Sequence, residues 1–204
     1  MFLVVPGAAD RRTRPIAPAR ASLDAIHGWL GIHLGTLDRL DGGERLETYL
    51  AAPGAHAQLQ PRIADGLLSS AKVRVPERTF SLFTWLNNGG LVIDWLIAGI
   101  EKPWGERIAS GVVSTAMLAE RLNLSRTHLS RKLRAAEALG SIGWLGPRGH
   151  SAMWVSAAFH REYAMAQAVK LAIIDAAFCS LCAPRFEGRE LRIEERLRRW
   201  APAA

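Results

Sequence analysis

Residues 114–134 read STAMLAERLNLSRTHLSRKLR, and this stretch predicts two helices that meet at a sharp turn. Ser114 and Ser125 suit the N-cap positions of the two helices, because a serine hydroxyl accepts a hydrogen bond from a free N–H at a helix start. Asn123 stands where the first helix must end, and asparagine tolerates the left-handed backbone that is usual there. The run therefore predicts a helix-turn-helix.

Apolar residues recur at helical spacing on both predicted helices and define one inner face. They are Leu118, Ala119 and Leu122 on the first helix, and Leu129, Leu133 and Ala136 on the second. Ala119 is small, as a close crossing of two helices requires, and Leu124 fills the corner between them. This pattern predicts two helices that pack against each other and a shared core.

The outer face of the second helix carries short hydroxyls and long guanidinium groups. The candidate DNA contacts on it are Arg126, Thr127, His128, Ser130, Arg131 and Arg134. Guanidinium pairs bidentately with guanine, and arginines and hydroxyls also bind phosphate. The alternative is an ordinary helical hairpin with a basic face in solvent. The small residue, the turn, the cap and the basic face each occur where a helix-turn-helix requires them, which favours a helix that binds DNA.

The residues after the second helix predict a β-hairpin. The helix should stop at Gly140, and residues 141–145 and 151–155 contain the aromatic and β-branched residues of two strands around Gly146-Pro-Arg-Gly-His150. Such a hairpin would be the wing of a winged helix-turn-helix, with Val112-Val113 as a candidate third strand. Arg148 at its tip is expected to reach a minor groove or a phosphate, the alternative being a turn arginine in solvent.

Three runs within this segment, LAERL (118–122), SRTHLSR (125–131) and ALGSI (138–142), resemble the winged helix-turn-helix superfamily, particularly MarR-type regulators. The resemblance covers about a quarter of the chain. It implies a homodimeric repressor or activator whose flanking helices form the dimer. It also implies recognition-helix contacts at Arg126, Thr127, Ser130, Arg131 and Arg134, and a wing contact at Arg148. The hairpin tip lacks the Asp-x-Arg common in MarR-type regulators, and Lys132 replaces a usual apolar residue.

The distribution of charge points to the same segment. The chain has a net charge of +7, and residues 107–150 hold seven basic and two acidic side chains. Residues 1–106 hold 11 of each, and residues 158–204 hold eight basic and six acidic side chains. A surface that neutralises phosphates concentrates positive charge in this way, although a solvated basic helix would give the same count.

The predicted fold class is mainly α, a winged helix-turn-helix head flanked by additional helices. The predicted domains are an N-terminal arm (1–20), a helical region for dimerisation or effector binding (21–105), the DNA-binding head (106–157) and C-terminal dimerisation helices (158–204). In the helical region we predict a helix over 22–40 with Ser22 as its N-cap and a stop at 41–43, then short helices interrupted by Pro53, Pro61 and Pro76. The apolar runs 80–86 and 91–100 should be separated by a turn.

Other functions find little support in the sequence. We predict no catalytic residues, metal or cofactor, since the six histidines show no metal-ligand spacing and no phosphate-binding loop or nucleophile motif occurs. Cys179 and Cys182 are expected to be small core residues, a redox switch being the alternative. Several aromatic residues are expected to be core or, alternatively, to line a pocket for a small-molecule effector: Phe80, Phe83, Trp85, Trp95 and Trp104.

The pattern from Phe159 to Ala183 predicts a helix that is apolar on most sides and that a partner subunit or its own domain must cover. Its most apolar stretch runs from Tyr163 to Ala183. Polar residues (Gln167, Lys170, Asp175) interrupt it, so we predict no membrane span, and a cytoplasmic location. The expected partners are double-stranded DNA and a second copy of the chain, on an inverted repeat. A winged-helix module that binds protein and not DNA is the alternative.

Overall fold

The computed structural model describes residues 2–4, 16–76, 78–84, 88–102, 105–111 and 114–182. The chain is mainly α, as predicted, with a two-stranded ribbon and a three-stranded sheet. The elements are β1 (Phe2–Val4), β2 (Ile16–Pro18), α1 (Arg20–Asp41), α2 (Arg45–Leu50), α3 (Ala55–Ser69), α4 (Ala71–Arg74), α5 (Arg78–Thr84), α6 (Gly89–Ala98), β3 (Arg107–Ser110), α7 (Thr115–Arg121), α8 (Arg126–Ala138), β4 (Ile142–Trp144), β5 (Met153–Ser156) and α9 (Ala157–Cys182).

The chain divides into two compact units. The first unit contains the described residues up to Gly66 together with those from Leu171 onward, and the second unit runs from Leu67 to Lys170. The predicted domain boundaries at 105/106 and 157/158 both lie inside the second unit. In the first unit, β1 pairs with β2 antiparallel, so residues 16–18 form a strand within the predicted arm.

Helix α1 ends where the sequence predicts. Gly42 adopts a left-handed backbone with φ of 73°, and its N–H donates to the Asp38 carbonyl at 2.7 Å. The predicted N-cap at Ser22 is wrong, because the helix begins at Arg20 and the Ala19 carbonyl accepts the N–H of Ser22. Arg20 and Ala21 are strong helix formers, so the helix extends back through them.

Buried Arg45 joins three carboxylates within the first unit. Its guanidinium lies 2.6 Å from Asp41, 3.2 Å from Asp38 and 2.7 Å from Asp175, and only 7% of its side chain is exposed. It thereby connects α1, α2 and the C-terminal part of α9. Because a buried cation needs such partners, this cluster fixes the position of α2 against both longer helices.

The prediction that Pro61 interrupts a helix is wrong, because Pro61 lies inside α3. Its nitrogen carries no hydrogen, so the helix loses one backbone hydrogen bond at that point. Leu59 and Ile63 flank it and are both buried with 1% exposure. Their burial offsets the missing bond, and the helix continues.

The second unit has one hydrophobic core, to which helices and sheet both contribute. The sheet order is β3-β5-β4, with both neighbouring pairs antiparallel, which confirms the predicted hairpin. The third strand of the sheet is Arg107–Ser110. Val112-Val113, the predicted candidate for a third strand, lies outside the described residues. The core residues are Phe83, Val92, Ile93, Leu96, Ile108, Leu118, Ala119, Leu129, Leu133, Ala136, Ile142, Met153, Val155 and Phe159.

The aromatic residues before the sheet belong to this core where the structure describes them. Phe83 is fully buried, and Phe80 and Trp95 pack against the cluster from its edge. Trp85 and Trp104 lie outside the described residues. The aromatic residues that the structure describes therefore agree with the prediction that they belong to the core.

Helix α9 is long and largely uncovered. It has 26 residues, and only 17% of its most apolar window is buried by the described chain. A row of small residues spaced four apart is exposed on it (Ala164, Ala168, Ala172 and Ala176), beside Met165. By length and composition alone this helix could cross a membrane, a test that apolar helices of water-soluble proteins also pass. The cytoplasmic location therefore stays a prediction.

Candidate nucleic-acid interface

The turn between α7 and α8 forms through the residues that the sequence indicates. The Ser114 hydroxyl accepts the N–H of Met117 at 3.2 Å, and the Ser125 hydroxyl accepts the N–H of His128 at 3.4 Å. Asn123 has a φ of 50°, in the left-handed region. Both predicted caps and the predicted left-handed position are confirmed.

The inner faces of both helices are buried as the spacing predicts. Leu118 and Ala119 on α7, and Leu129, Leu133 and Ala136 on α8, are at most 1% exposed. At the corner, the Leu124 N–H donates to the Ala119 carbonyl at 2.8 Å, and Leu124 is partly buried against the core. The apolar stripe fixes the rotation of α8 about its axis, and so decides which side chains face outward.

The predicted contact residues of α8 lie on its outward side. Thr127, Arg131 and Arg134 are exposed and lie opposite the buried stripe, since residues three or four apart share a helix face. Arg126 and His128 are exposed in the first turn, and Ser130 is partly buried at the edge. Lys132 is partly buried beside the stripe. Arg131 and Arg134 are therefore neighbours on one accessible surface.

The hairpin between β4 and β5 has a tip that is held by one serine. The Ser151 hydroxyl accepts the Gly146 N–H at 2.9 Å and donates to the Pro147 carbonyl at 3.1 Å. Gly149 takes a positive φ of 77°, which a side chain would strain. The tip that carries Arg148 is thus a defined turn.

Arg148 does not stand alone at this tip. Its guanidinium lies 3.0 Å from the Glu137 carboxylate and 4.6 Å from the centre of the Trp144 ring. The side chains of Arg148 and Glu137 are 44% and 40% exposed, so both remain accessible to solvent. This contact joins the hairpin to the end of α8. Sequence reasoning missed Glu137, because a pair so far apart along the chain leaves no local pattern.

Two further arginines in the positively charged segment 107–150 also lie over tryptophan rings. Arg107 lies 4.8 Å from the ring centre of Trp154, and Arg121 lies 5.2 Å from that of Trp95. Both arginines are exposed, and stacking on a ring limits the orientations of a guanidinium. Neither was among the predicted contacts. The strand alternation at 107–110, exposed and buried in turn, is the signal that identifies Arg107 as outward-facing.

The surface formed by α8 and the hairpin, which we call the basic face, comprises Arg126, Thr127, His128, Ser130, Arg131, Arg134 and Arg148. Positive charge predominates on it, and Glu137 is engaged with Arg148. Such a surface can neutralise phosphates and present guanidinium groups in pairs to flat hydrogen-bonding edges. Comparison with protein-family models, curated proteins and solved structures finds no match to this chain.

Proposed function

We propose that the protein is a winged helix-turn-helix transcription regulator that binds double-stranded DNA. In this proposal α8 is the recognition helix and the β4–β5 hairpin is the wing. The observation that carries it is the row Thr127, Arg131 and Arg134, exposed on α8 directly opposite a fully buried stripe. A helix held in this way presents its polar side and keeps its apolar side in the core.

The dimensions of such a helix suit the major groove of B-DNA, which is about 12 Å wide and admits an α-helix. Arg131 and Arg134 lie one turn apart, so either can pair with a guanine while the other contacts a neighbouring base or phosphate. In this proposal Arg126 and His128, in the first turn of α8, contact the DNA backbone at the edge of the groove. Arg148 would reach the adjacent minor groove or a phosphate.

The proposal includes a homodimer on an inverted repeat. One head contacts only a few base pairs, and regulators of this kind usually gain specificity through two-fold symmetry. The uncovered apolar surface of α9, with its row of alanines and with Met165 66% exposed, supports a second copy as the partner. Small residues let two helices approach closely, which suits a symmetric contact.

A protein-binding role for the same fold is the second candidate. Leu139 and Leu145, which flank the start of the hairpin, are 55% and 60% exposed. Exposed leucines suit a protein partner better than a phosphate backbone. In that case the arginines of the basic face would form the rim of a protein interface.

Selection from a pool of random-sequence duplexes distinguishes the two candidates. The wild-type chain should enrich an inverted repeat whose half-sites are about 10 base pairs apart, centre to centre. The double variant R131A/R134A should enrich no sequence, since it removes the side chains that pair with bases. R62A is the matched control, because Arg62 is exposed on α3 and bonds the Gln58 carbonyl of its own helix.

R62A should return the wild-type repeat. Enrichment of the same repeat by folded R131A/R134A would exclude α8 as the reading helix. Enrichment of a site without two-fold symmetry would contradict the homodimer, and recovery of no duplex by the wild-type chain would favour the protein-binding candidate.

A further inference from the structure

Three side chains of the first unit converge on one oxygen atom. The Tyr49 hydroxyl lies 2.5 Å from Nδ1 of His27 and 3.4 Å from Nδ1 of His56. These residues come from α2, α1 and α3 respectively. The sequence spacing of the histidines shows no ligand pattern, so only the packing of three helices reveals the cluster.

The cluster is buried at its centre and open at one side. Tyr49 is only 3% exposed, His56 is partly buried, and His27 is exposed. The rings of His27 and Tyr49 are 4.8 Å apart between centres, and those of His27 and His56 are 6.0 Å apart. A small solute can therefore approach past His27.

The hydrogen bonds of this arrangement depend on which ring nitrogen of each histidine carries its proton. A phenol has a single proton, so the Tyr49 hydroxyl can donate to one Nδ1 atom, and its oxygen accepts from the other only when that ring carries its proton on Nδ1. Gln60, one turn after His56 on α3, also has a buried side-chain oxygen that accepts no hydrogen bond from the described residues. His56 and Gln60 are four residues apart and share a face of α3, so this face carries one polar oxygen that the described contacts leave unused.

The donor atoms have the chemistry and spacing of metal ligands. Imidazole nitrogen suits zinc and copper, and a phenolate oxygen supplies a negative charge. Ligands about 2.0 Å from a tetrahedral ion lie about 3.3 Å from one another. The two distances to the Tyr49 oxygen, 2.5 and 3.4 Å, lie on either side of that value. An ion could replace the phenolic proton after a small shift of the rings.

We propose that His27, Tyr49 and His56 bind one divalent transition-metal ion of the Zn²⁺/Cu²⁺ class. Mg²⁺ and Ca²⁺ prefer sets of oxygen ligands and would not compete. Three protein ligands leave a fourth position for water.

Bound there, the ion would join α1, α2 and α3 by one set of bonds. It would bind the folded first unit and not the unfolded chain, so it would stabilise the fold by mass action. This site is independent of the DNA-binding proposal, since none of its residues belongs to the basic face.

Titration calorimetry of the tag-free, metal-stripped full chain with ZnCl₂ tests the site. The wild-type chain should bind one Zn²⁺ per chain, and H27Q and H56Q should each weaken binding by more than about tenfold, since even indirect partners of a metal ligand change affinity by 10–100-fold. With CuCl₂, the wild-type chain should show a visible phenolate-to-copper charge-transfer band that Y49F lacks.

H33Q is the matched control, because His33 lies on the same helix and its Nδ1 contacts the Trp29 carbonyl instead. C179S removes the exposed thiol as an alternative Zn²⁺ ligand. Both variants should bind like wild type. Since His27 is exposed, H27Q retains the fold even if Y49F does not, so it gives the deciding comparison. Absence of 1:1 binding by wild type, or equal affinity in H27Q, would overturn the proposal.

Discussion

Arg148 is a residue of the basic face whose guanidinium makes two different contacts within the protein. Its guanidinium pairs with Glu137 and stacks on Trp144, and both members of the ion pair are more than one third exposed. Ion pairs of this exposure contribute about 0–1 kcal/mol. A DNA phosphate can therefore displace Glu137 at little expense, while Trp144 continues to support the arginine.

This competition makes E137Q a direct probe of the wing. Glutamine keeps the size of the side chain but removes the charge that competes with phosphate for Arg148. We expect duplex affinity, measured by fluorescence anisotropy, to rise roughly twofold to fivefold, equivalent to less than about 1 kcal/mol.

E120Q is the control for that measurement, because Glu120 is an exposed acidic residue of α7 in the same unit. Its effect gives the gain from net charge alone. If E137Q binds no more tightly than E120Q, the contact between Arg148 and Glu137 does not limit DNA binding, and the wing contact is wrong.

Residues whose structural role depends on near neighbours could be predicted from the sequence. Ser114, Asn123 and Ser125 act within three or four positions along the chain, and their roles are confirmed. The pairing of Glu137 with Arg148 and the cluster of His27, Tyr49 and His56 depend on the packing of separate elements. No spacing rule relates such residues, so the structure was needed to find them.

At the level of elements, the sheet of the second unit depends on one glycine. Gly143 on β4 lies directly across from Trp154 on β5, and the Trp154 ring covers it. A Cβ atom at position 143 would collide with that ring, over which the Arg107 guanidinium also lies. The glycine thus allows the tryptophan to lie flat across the strand pair.

G143A should accordingly lower the free energy of unfolding by about 1–3 kcal/mol, the usual effect of forcing an extra carbon into a packed site. Urea denaturation followed by circular dichroism measures it. G90A is the matched control, because a Cβ on Gly90 in α6 meets no atom within 4 Å. It should leave stability unchanged or raise it by about 0.4–1 kcal/mol. Equal stability of G143A and wild type would contradict the packing of Trp154 on this strand.

The elements themselves could be predicted better than their partners. Helical and strand periodicity predicted α8 and the β4–β5 hairpin close to their observed bounds. The sequence also contained apolar runs at α5 and α6. An apolar pattern indicates that a face is buried, but it does not identify the elements that pack against that face. Phe83, Val92 and Leu96 belong to the same core as α7 and α8, so the compact unit begins well before the predicted head. At Pro61 the local pattern was misleading instead. A proline usually indicates the end of a helix, but the buried neighbours of Pro61 keep α3 helical through that position.

For the whole molecule, the uneven distribution of charge is the property most closely connected with the proposed function. Residues 107–150 carry seven basic and two acidic side chains, and all of these lie in the second unit. The first unit, 1–66 with 171–204, holds 13 basic and 12 acidic side chains, so its charges nearly cancel. Net attraction for a polyanion should therefore come from the second unit.

The salt dependence of duplex binding tests the central claim most directly, because phosphate neutralisation releases counterions and a protein interface does not. If about three arginines of each protomer in a dimer contact phosphate, the logarithm of the affinity should fall against the logarithm of the salt concentration with a slope of roughly −5. Anisotropy titrations of the wild-type chain between about 50 and 200 mM salt measure this slope. A slope near zero, or no binding at the lowest salt concentration, would contradict the assignment of the basic face to DNA.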